Sequence, residues 1–133
     1  VGQTILKPHE LVTEISVPAL SAGSGSAFLN LSRTKADIAK VIVAVTLTIV
    51  NNVCKEAKIA LGSVAPTPVR SNKAEEALKG HKMEPKVIDR AAEIAAEGIT
   101  PITDIRSTAE YRKETTRILV RRAIEKALAT ATA

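Results

Sequence analysis

Aromatic residues are nearly absent from this sequence. Phe28 and Tyr111 are the whole complement, tryptophan is missing, and aromatics make up 2% of the chain. Any core must therefore be aliphatic, and the stacking platforms that hold single-stranded nucleic acid are lacking. Cysteine is as scarce, with Cys54 alone. An internal disulfide is excluded, and a lone thiol fits a reducing, cytoplasmic setting. The two histidines, His9 and His81, stand far apart and in no spacing that zinc uses, so no metal site is expected. The longest apolar run, Val41 to Val50, carries Thr46 and Thr48. It is too short for a membrane-spanning helix, which needs about 20 residues. No basic segment followed by an apolar one opens the chain, so no secretory signal is visible.

What the chain does have is 133 residues with 45% apolar content, enough for a single domain over 1–133 with a real core. The formal net charge is +5 and the pI about 9.6. That balance permits nucleic acid or an acidic protein as partner and says nothing about fold. The first residue is Val1, and Val1-Gly2-Gln3-Thr4-Ile5-Leu6 reads like the interior of a longer protein.

Three stretches read as strand. Leu11, Thr13, Ile15 and Val17 alternate with Val12, Glu14 and Ser16 until Pro18, the pattern of a short edge strand. Ser21 to Ser26 reads as a flexible small-residue segment, and Phe28 to Leu31 as a short extended piece. Val41 to Val50 is the strongest signal: Val41, Val43, Val45, Leu47 and Ile49 share one face, and smaller, more polar residues the other. Asn51-Asn52 marks a turn, because asparagine tolerates the left-handed region. Val53 to Val64 alternates again with Val53, Ala57, Ile59 and Leu61 in phase, so the two runs predict an antiparallel hairpin.

The second half reads as helix. Asn72 with Glu75 resembles a capping box, and Gly80 suits the residue just past a short helix. Pro85 sits where a first helical residue would, ahead of the stripe Val87, Ile88, Ala91, Ile94 and Ala95, which Gly98 closes. Ser107 with Glu110 is a second capping box. It opens a long helix to about Leu128 with Ile118, Leu119, Ala123, Ile124, Ala127 and Leu128 buried. Lys113, Arg117 and Arg121 fall on its solvent side, where Arg121 can pair with Glu125. Ala129 to Ala133 should fray. Strands first and helices second predict an α+β fold: a three- to four-stranded antiparallel sheet followed by a three-helix cluster packed on one face.

Few constellations carry chemistry. Cys54 has no base near it in sequence and reads as a small sheet residue. Gly23-Ser24-Gly25 lacks the strand–loop–helix context of a phosphate loop. The basic stripe of the last helix is interrupted by Glu110, Glu114 and Glu125, so a solvated face is the simpler reading than nucleic-acid binding. Gly62 to Arg70, with Pro66 and Pro68, is either a rigid connection or a wall against another domain. Most informative is Ser32 to Lys40. This loop packs Arg33, Lys35, Asp37 and Lys40 beside small residues and runs straight into the strongest strand. On chemistry alone it reads as a solvated turn.

Three segments together carry a resemblance: Ser32-Arg33 with Asp37-Ile38-Ala39-Lys40-Val41; Leu61-Gly62-Ser63-Val64-Ala65-Pro66-Thr67-Pro68-Val69-Arg70; and Asp104-Ile105-Arg106-Ser107 with Tyr111-Arg112. In this order the chain resembles the C-terminal domain of the FAD-binding medium subunit of molybdenum hydroxylases, the family of aerobic carbon monoxide dehydrogenase and xanthine dehydrogenase. Thr4 to Leu11 is similar to the usual lead-in from the preceding FAD domain, so residues 1–10 are expected to be that lead-in.

The resemblance implies one oxidoreductase assembled from several parts. Its partners would be an upstream FAD-binding domain, an iron–sulfur small subunit with two 2Fe–2S clusters, and a large subunit with the molybdenum cofactor. Electrons would reach FAD from the clusters and leave to an outside acceptor. It further implies that the loop approaches the flavin ring, with Ser32, Arg33 and Asp37 lining or bracing its edge and Lys40 at the loop exit. Arg33 would then favour the reduced, anionic flavin. Asp104, Arg106 and Tyr111 would hold the helical cluster, and no residue here would be catalytic. The family's glycine-rich segments for the FAD pyrophosphate have no match, so the chain alone is expected to bind FAD poorly and to be inactive. Thr34-Lys35-Ala36 lacks the acidic character of this loop in animal xanthine dehydrogenases, so the resemblance does not carry NAD over as acceptor. The alternative is a stand-alone basic module that binds nucleic acid or an acidic protein.

Overall fold

The alternation of branched and small residues from Val41 to Val50 does what it predicts: in the computed structural model, which describes residues 2–132, this run is an inner strand with one buried face. The antiparallel sheet comprises β1 (Ser24–Leu31), β2 (Val41–Val50), β3 (Val53–Gly62) and β4 (Val69–Arg70), side by side in chain order. Helices α1 (Asn72–Leu78), α2 (Pro85–Glu97) and α3 (Ala109–Ala131) follow. The arrangement is the α+β one that strands first and helices second predict.

The β2–β3 hairpin turns at Asn51 and Asn52, both with positive φ (51° and 61°), as two asparagines allow. A bulge then pairs Thr48 with Glu56 but Ile49 with Cys54. The extra residue shifts the phase of β3, so Cys54 is fully buried and Val53 only half-buried. From Ala57 onward the expected face, Ala57, Ile59 and Leu61, points inward.

Two strand readings need correction. The small-residue segment read as flexible becomes a strand from Ser24 onward. Its cause is tertiary: Gly25 lies under the end of α3, and a Cβ there would collide with the Ala127 carbonyl and the Ala131 amide. Conversely, Leu11 to Val17 is no strand here: its backbone pairs with nothing among the described residues.

The helices start and stop close to their signals. Pro85 opens α2 and Gly98 caps it. Gly80, at φ 82°, follows the end of α1. Neither capping box forms as read. Ser71, not Asn72, precedes α1, and Glu75 instead accepts from the Ile59 amide at 2.7 Å and from Arg70 at 2.8 Å. For α3 the cap is Thr108, whose hydroxyl accepts the Tyr111 amide, while the Ser107 amide goes to Asp104. Rather than fraying from Ala129, α3 continues to Ala131, which packs against the core. Ile118 is exposed, and Val120 takes its place inside.

Packing leaves one sheet face covered. α3 lies over β1 and β2, α1 over β3, and α2 against α1 and α3. One continuous core of Val, Ile, Leu and Ala joins them. The opposite face carries Phe28, Ala44 and Ala60 in one row across three strands and stays open.

Candidate functional site

The loop from Ser32 to Lys40 closes the β1–β2 hairpin. Leu31 pairs with Val41, and the Lys40 amide donates to the Leu31 carbonyl at 2.7 Å, so the loop leaves and re-enters the sheet at one point. Its side chains hold it together from within. The Ser32 hydroxyl donates to the Thr34 carbonyl at 2.8 Å. Arg33 Nε donates to Asp37 Oδ2 at 2.7 Å, and the other oxygen of Asp37 accepts the Ile38 amide at 2.8 Å. The hydrogen bond from Arg33, and then that from the Ile38 amide, hold the Asp37 carboxyl below the usual range, while Asp37 raises Arg33 in turn. Ser32, Arg33 and Asp37 thus share one stretch of loop, and Arg33 faces solvent. Lys40 is set apart: its ammonium stands 5.7 Å from the centre of the Tyr111 ring on α3.

Beneath the loop lies a buried cation. Arg112, on the first turn of α3, is 4% exposed. One terminal nitrogen donates to the Lys40 carbonyl at 2.7 Å and to the Ser63 carbonyl at 3.0 Å. The other donates to Asp104 Oδ1 at 2.9 Å. That same oxygen accepts the amides of Arg106 and Ser107. Burial raises the Asp104 pKa, but the Arg106 amide, Arg112 and the Ser107 amide outweigh it and hold the carboxyl below its ordinary range. Ser63 has φ 61°, a left-handed conformation uncommon for a residue with a side chain, and its carbonyl is one of those that Arg112 grips.

Three connections meet at this clasp: the hairpin loop, the turn after β3 and the segment between α2 and α3. Between them opens a cavity of about 600 Å³. Ile38, Ala39, Ala65, Pro66 and Ile102 give it apolar walls, and Asp104, Arg106 and Arg112 a polar floor. Asp104 and Arg106, read from sequence as braces of the helical cluster, lie here. Sequence reading placed Arg112 only within a motif. Its signal was position, since it falls in phase with Thr116, Val120, Ala123 and Ala127, the buried stripe of α3.

These residues suit the ring of a flavin and not its diphosphate. The loop offers hydrogen-bonding groups and the cavity offers apolar wall. A phosphate cradle is another matter. Gly25 is committed to contact with α3. Both longer helices begin against negative charge, Glu84 before α2 and Glu110 in the first turn of α3.

Two of the three basic residues of the α3 stripe, Arg117 and Arg121, are paired with carboxylates. Among the described residues, seven of the eight arginines, all but Arg122, pair with a carboxylate, including Arg117 with Glu114 and Arg121 with both Asp89 and Glu125. These pairs break up the stripe, and a free-standing basic module is not favoured.

Residues 26–127 match the sequence family described as the CO dehydrogenase flavoprotein C-terminal domain. The chain is 36% identical over 128 residues to the carbon monoxide dehydrogenase medium chain of Afipia carboxidovorans, covering 96% of this chain and 44% of that protein. To the 6-hydroxypseudooxynicotine dehydrogenase complex subunit alpha of Paenarthrobacter nicotinovorans it is 34% identical, covering 91% and 41%. A solved structure of carbon monoxide dehydrogenase from Hydrogenophaga pseudoflava superposes with a TM-score of 0.83 at 34% identity, over 86% of this chain and 40% of that one. The chain therefore spans about two fifths of the length of the relatives it matches. Among the described residues no helix is long and apolar enough to cross a membrane.

Proposed function

The chain belongs to the CO dehydrogenase flavoprotein C-terminal domain family, and from that premise we propose that it covers the flavin in the medium subunit of a molybdenum-containing hydroxylase. The observation that carries this reading is the hairpin loop, which Arg112 anchors at the Lys40 carbonyl and which puts Ile38 and Ala39 in the wall of a mostly apolar cavity. Ser32, Arg33 and Asp37 lie on the same loop but are not among the residues that line it. The upstream part of the subunit would hold most of the FAD. The small subunit would bring the iron–sulfur clusters and the large subunit the molybdenum cofactor. The whole would act as an oxidoreductase, and the single, buried Cys54 suits a reducing, cytoplasmic compartment.

FAD, when bound, supplies the electron acceptor that links the iron–sulfur clusters to an outside oxidant. The chain's own residues orient and shield. Ser32, Arg33 and Asp37 present a polar edge to the ring, with Arg33 and Asp37 as a coupled pair rather than a free cation. That pairing moderates the pull of Arg33 on the reduced flavin, since the carboxylate offsets part of the guanidinium charge. Ile38 and Ala39 keep water from the ring's apolar side. Lys40 sets the loop's exit through its backbone and stands against Tyr111.

Equilibrium dialysis with FAD tests the reading on two samples, this chain alone and the full-length subunit that contains it. Flavin should be retained in stoichiometric amount by the full subunit only. Stoichiometric retention by this chain alone would overturn the shared site, and no flavin in the full subunit would overturn the proposed function.

A further inference from the structure

Five charged side chains meet where the hairpin loop approaches the segment between α2 and α3: Arg33, Asp37, Asp104, Arg106 and Arg112. Four of them are already committed. Arg33 and Asp37 form a closed pair at 2.7 Å. Arg112 gives its terminal nitrogens to the Lys40 and Ser63 carbonyls and to Asp104, and its Nε is sealed from solvent. Asp104 Oδ1 receives Arg112 and the amides of Arg106 and Ser107. Arg106 is what remains. Its guanidinium comes within 3.6 Å of Asp104 Oδ2, too far for a hydrogen bond, and among the described residues its side chain makes none. Only its backbone is held, by the amide that donates to Asp104 at 2.9 Å. The cation is thus positioned through its main chain while all its side-chain donors stay free.

The charges also fail to balance. Three guanidinium groups face two carboxylates, which leaves one positive charge over. Its place is the cavity. Arg33, Lys35 and Lys40 do not line that cavity, whereas Arg106 and Arg112 do. Arg112 is 4% exposed and fully engaged on its own side of the floor. The Arg106 side chain is 38% exposed. A molecule in the cavity therefore meets one uncommitted cation. That cation also reaches Asp37, whose carboxyl it helps to hold low, so it stands between the floor and the loop.

We infer that Arg106, and not Arg33, is the residue that holds the negative charge of a reduced flavin ring. The inference rests on the proposed flavin reading and assigns a role within it. Two electrons from the iron–sulfur clusters and one proton from water leave a flavin with a single negative charge, spread along the edge that carries N1 and its neighbouring carbonyl. A planar guanidinium with free donors suits such an edge. A ring seated between the apolar walls would displace water from the cavity, so the attraction would act at a lower effective dielectric constant. The Arg33–Asp37 pair cannot match it. Its net charge is zero, and Arg33 is 71% exposed, where water screens it.

The test is the midpoint potential of FAD in the full-length subunit that contains this chain, measured by reduction against reference dyes. Arg106→Gln should make two-electron reduction roughly tenfold less favourable, a potential lower by about 30 mV. Arg106→Lys keeps the charge and should stay within about threefold of the unsubstituted subunit, a shift under about 15 mV. The double variant Arg33→Gln/Asp37→Asn removes the loop pair as a unit and should shift the potential less than Arg106→Gln does. Bound FAD with an unshifted potential in Arg106→Gln overturns the inference and leaves the flavin reading intact. So does a larger shift in the double variant, which would return the role to the loop. An Arg106→Lys potential as low as that of Arg106→Gln would deny that charge matters, and loss of FAD from both Arg106 variants would make the residue a structural support; each overturns it too. An unsubstituted subunit without FAD would instead remove the flavin reading itself.

Discussion

The guanidinium of Arg112 donates to the carbonyl of Lys40 at 2.7 Å, across 72 positions of sequence. With Ser63 and Asp104 as its other partners, one side chain fastens the three connections that frame the cavity. The loop's readiness to face a ligand is thus decided on α3.

Arg112→Lys should destabilise the fold by about 3 kcal/mol, because a lone ammonium cannot reach three separated acceptors and the carbonyls stay buried. Urea unfolding would show a lower midpoint with an unchanged slope. Amides from Ile38 to Lys40 should also exchange faster than those of β3. An unaltered midpoint would mean that the clasp holds nothing.

Gly25→Ala tests the contact that makes β1 a strand. Its Cβ would meet main-chain atoms of Ala127 and Ala131, which cannot rotate away. A loss of roughly 2 kcal/mol is expected, together with fraying of α3 beyond Ala127 seen in amide exchange. Gly80→Ala is a useful contrast: its added Cβ meets no atom, so its cost should come from the φ of 82° alone.

Acid should loosen the site before the rest of the core. Asp104 and Asp37 both have folded pKa values below their ordinary ones, through hydrogen bonds that outweigh burial. A carboxyl lowered in the folded state stabilises it fully above the unfolded pKa of about 4. That contribution disappears as pH falls through the folded value. Stability measured by urea should be flat from neutral pH down to about 5 and fall below about 4. In Asp104→Asn the acid limb should be shallower. A limb of unchanged steepness would assign the acid response to other carboxyls.

Much of the fold was legible because local pattern and tertiary demand agreed. The Val41 run, the Asn51-Asn52 turn, Pro85 and Gly98 each specify one local geometry, and each has it. Where the two disagree, the sequence misleads in both directions. Ser24-Gly25-Ser26 has poor strand propensity, and only the close passage of α3 makes it one. Leu11 to Val17 has good strand pattern and no neighbour. The capping readings failed because the side chains found longer-range partners: Glu75 reaches β3, and Asp104 takes the Ser107 amide. At the site, Ser32, Arg33 and Asp37 were visible as a charged loop before a strong strand. The capture of the Lys40 carbonyl was not, since a main-chain oxygen has no sequence signature. Arg112 was hidden by its residue type, because arginine on an amphipathic helix is usually read as solvated even when its position is in phase with the core.

The clasp also bears on how this loop can change over time. Arg112 grips carbonyl oxygens at Lys40 and Ser63, and every amino acid has one. Substitutions between Thr34 and Ala39 leave those bonds intact, so the loop's chemistry can drift or be rewritten by grafting while its footing stays fixed. On the loop itself the frame holds backbone rather than side chain, so the loop's footing does not depend on which side chains it presents.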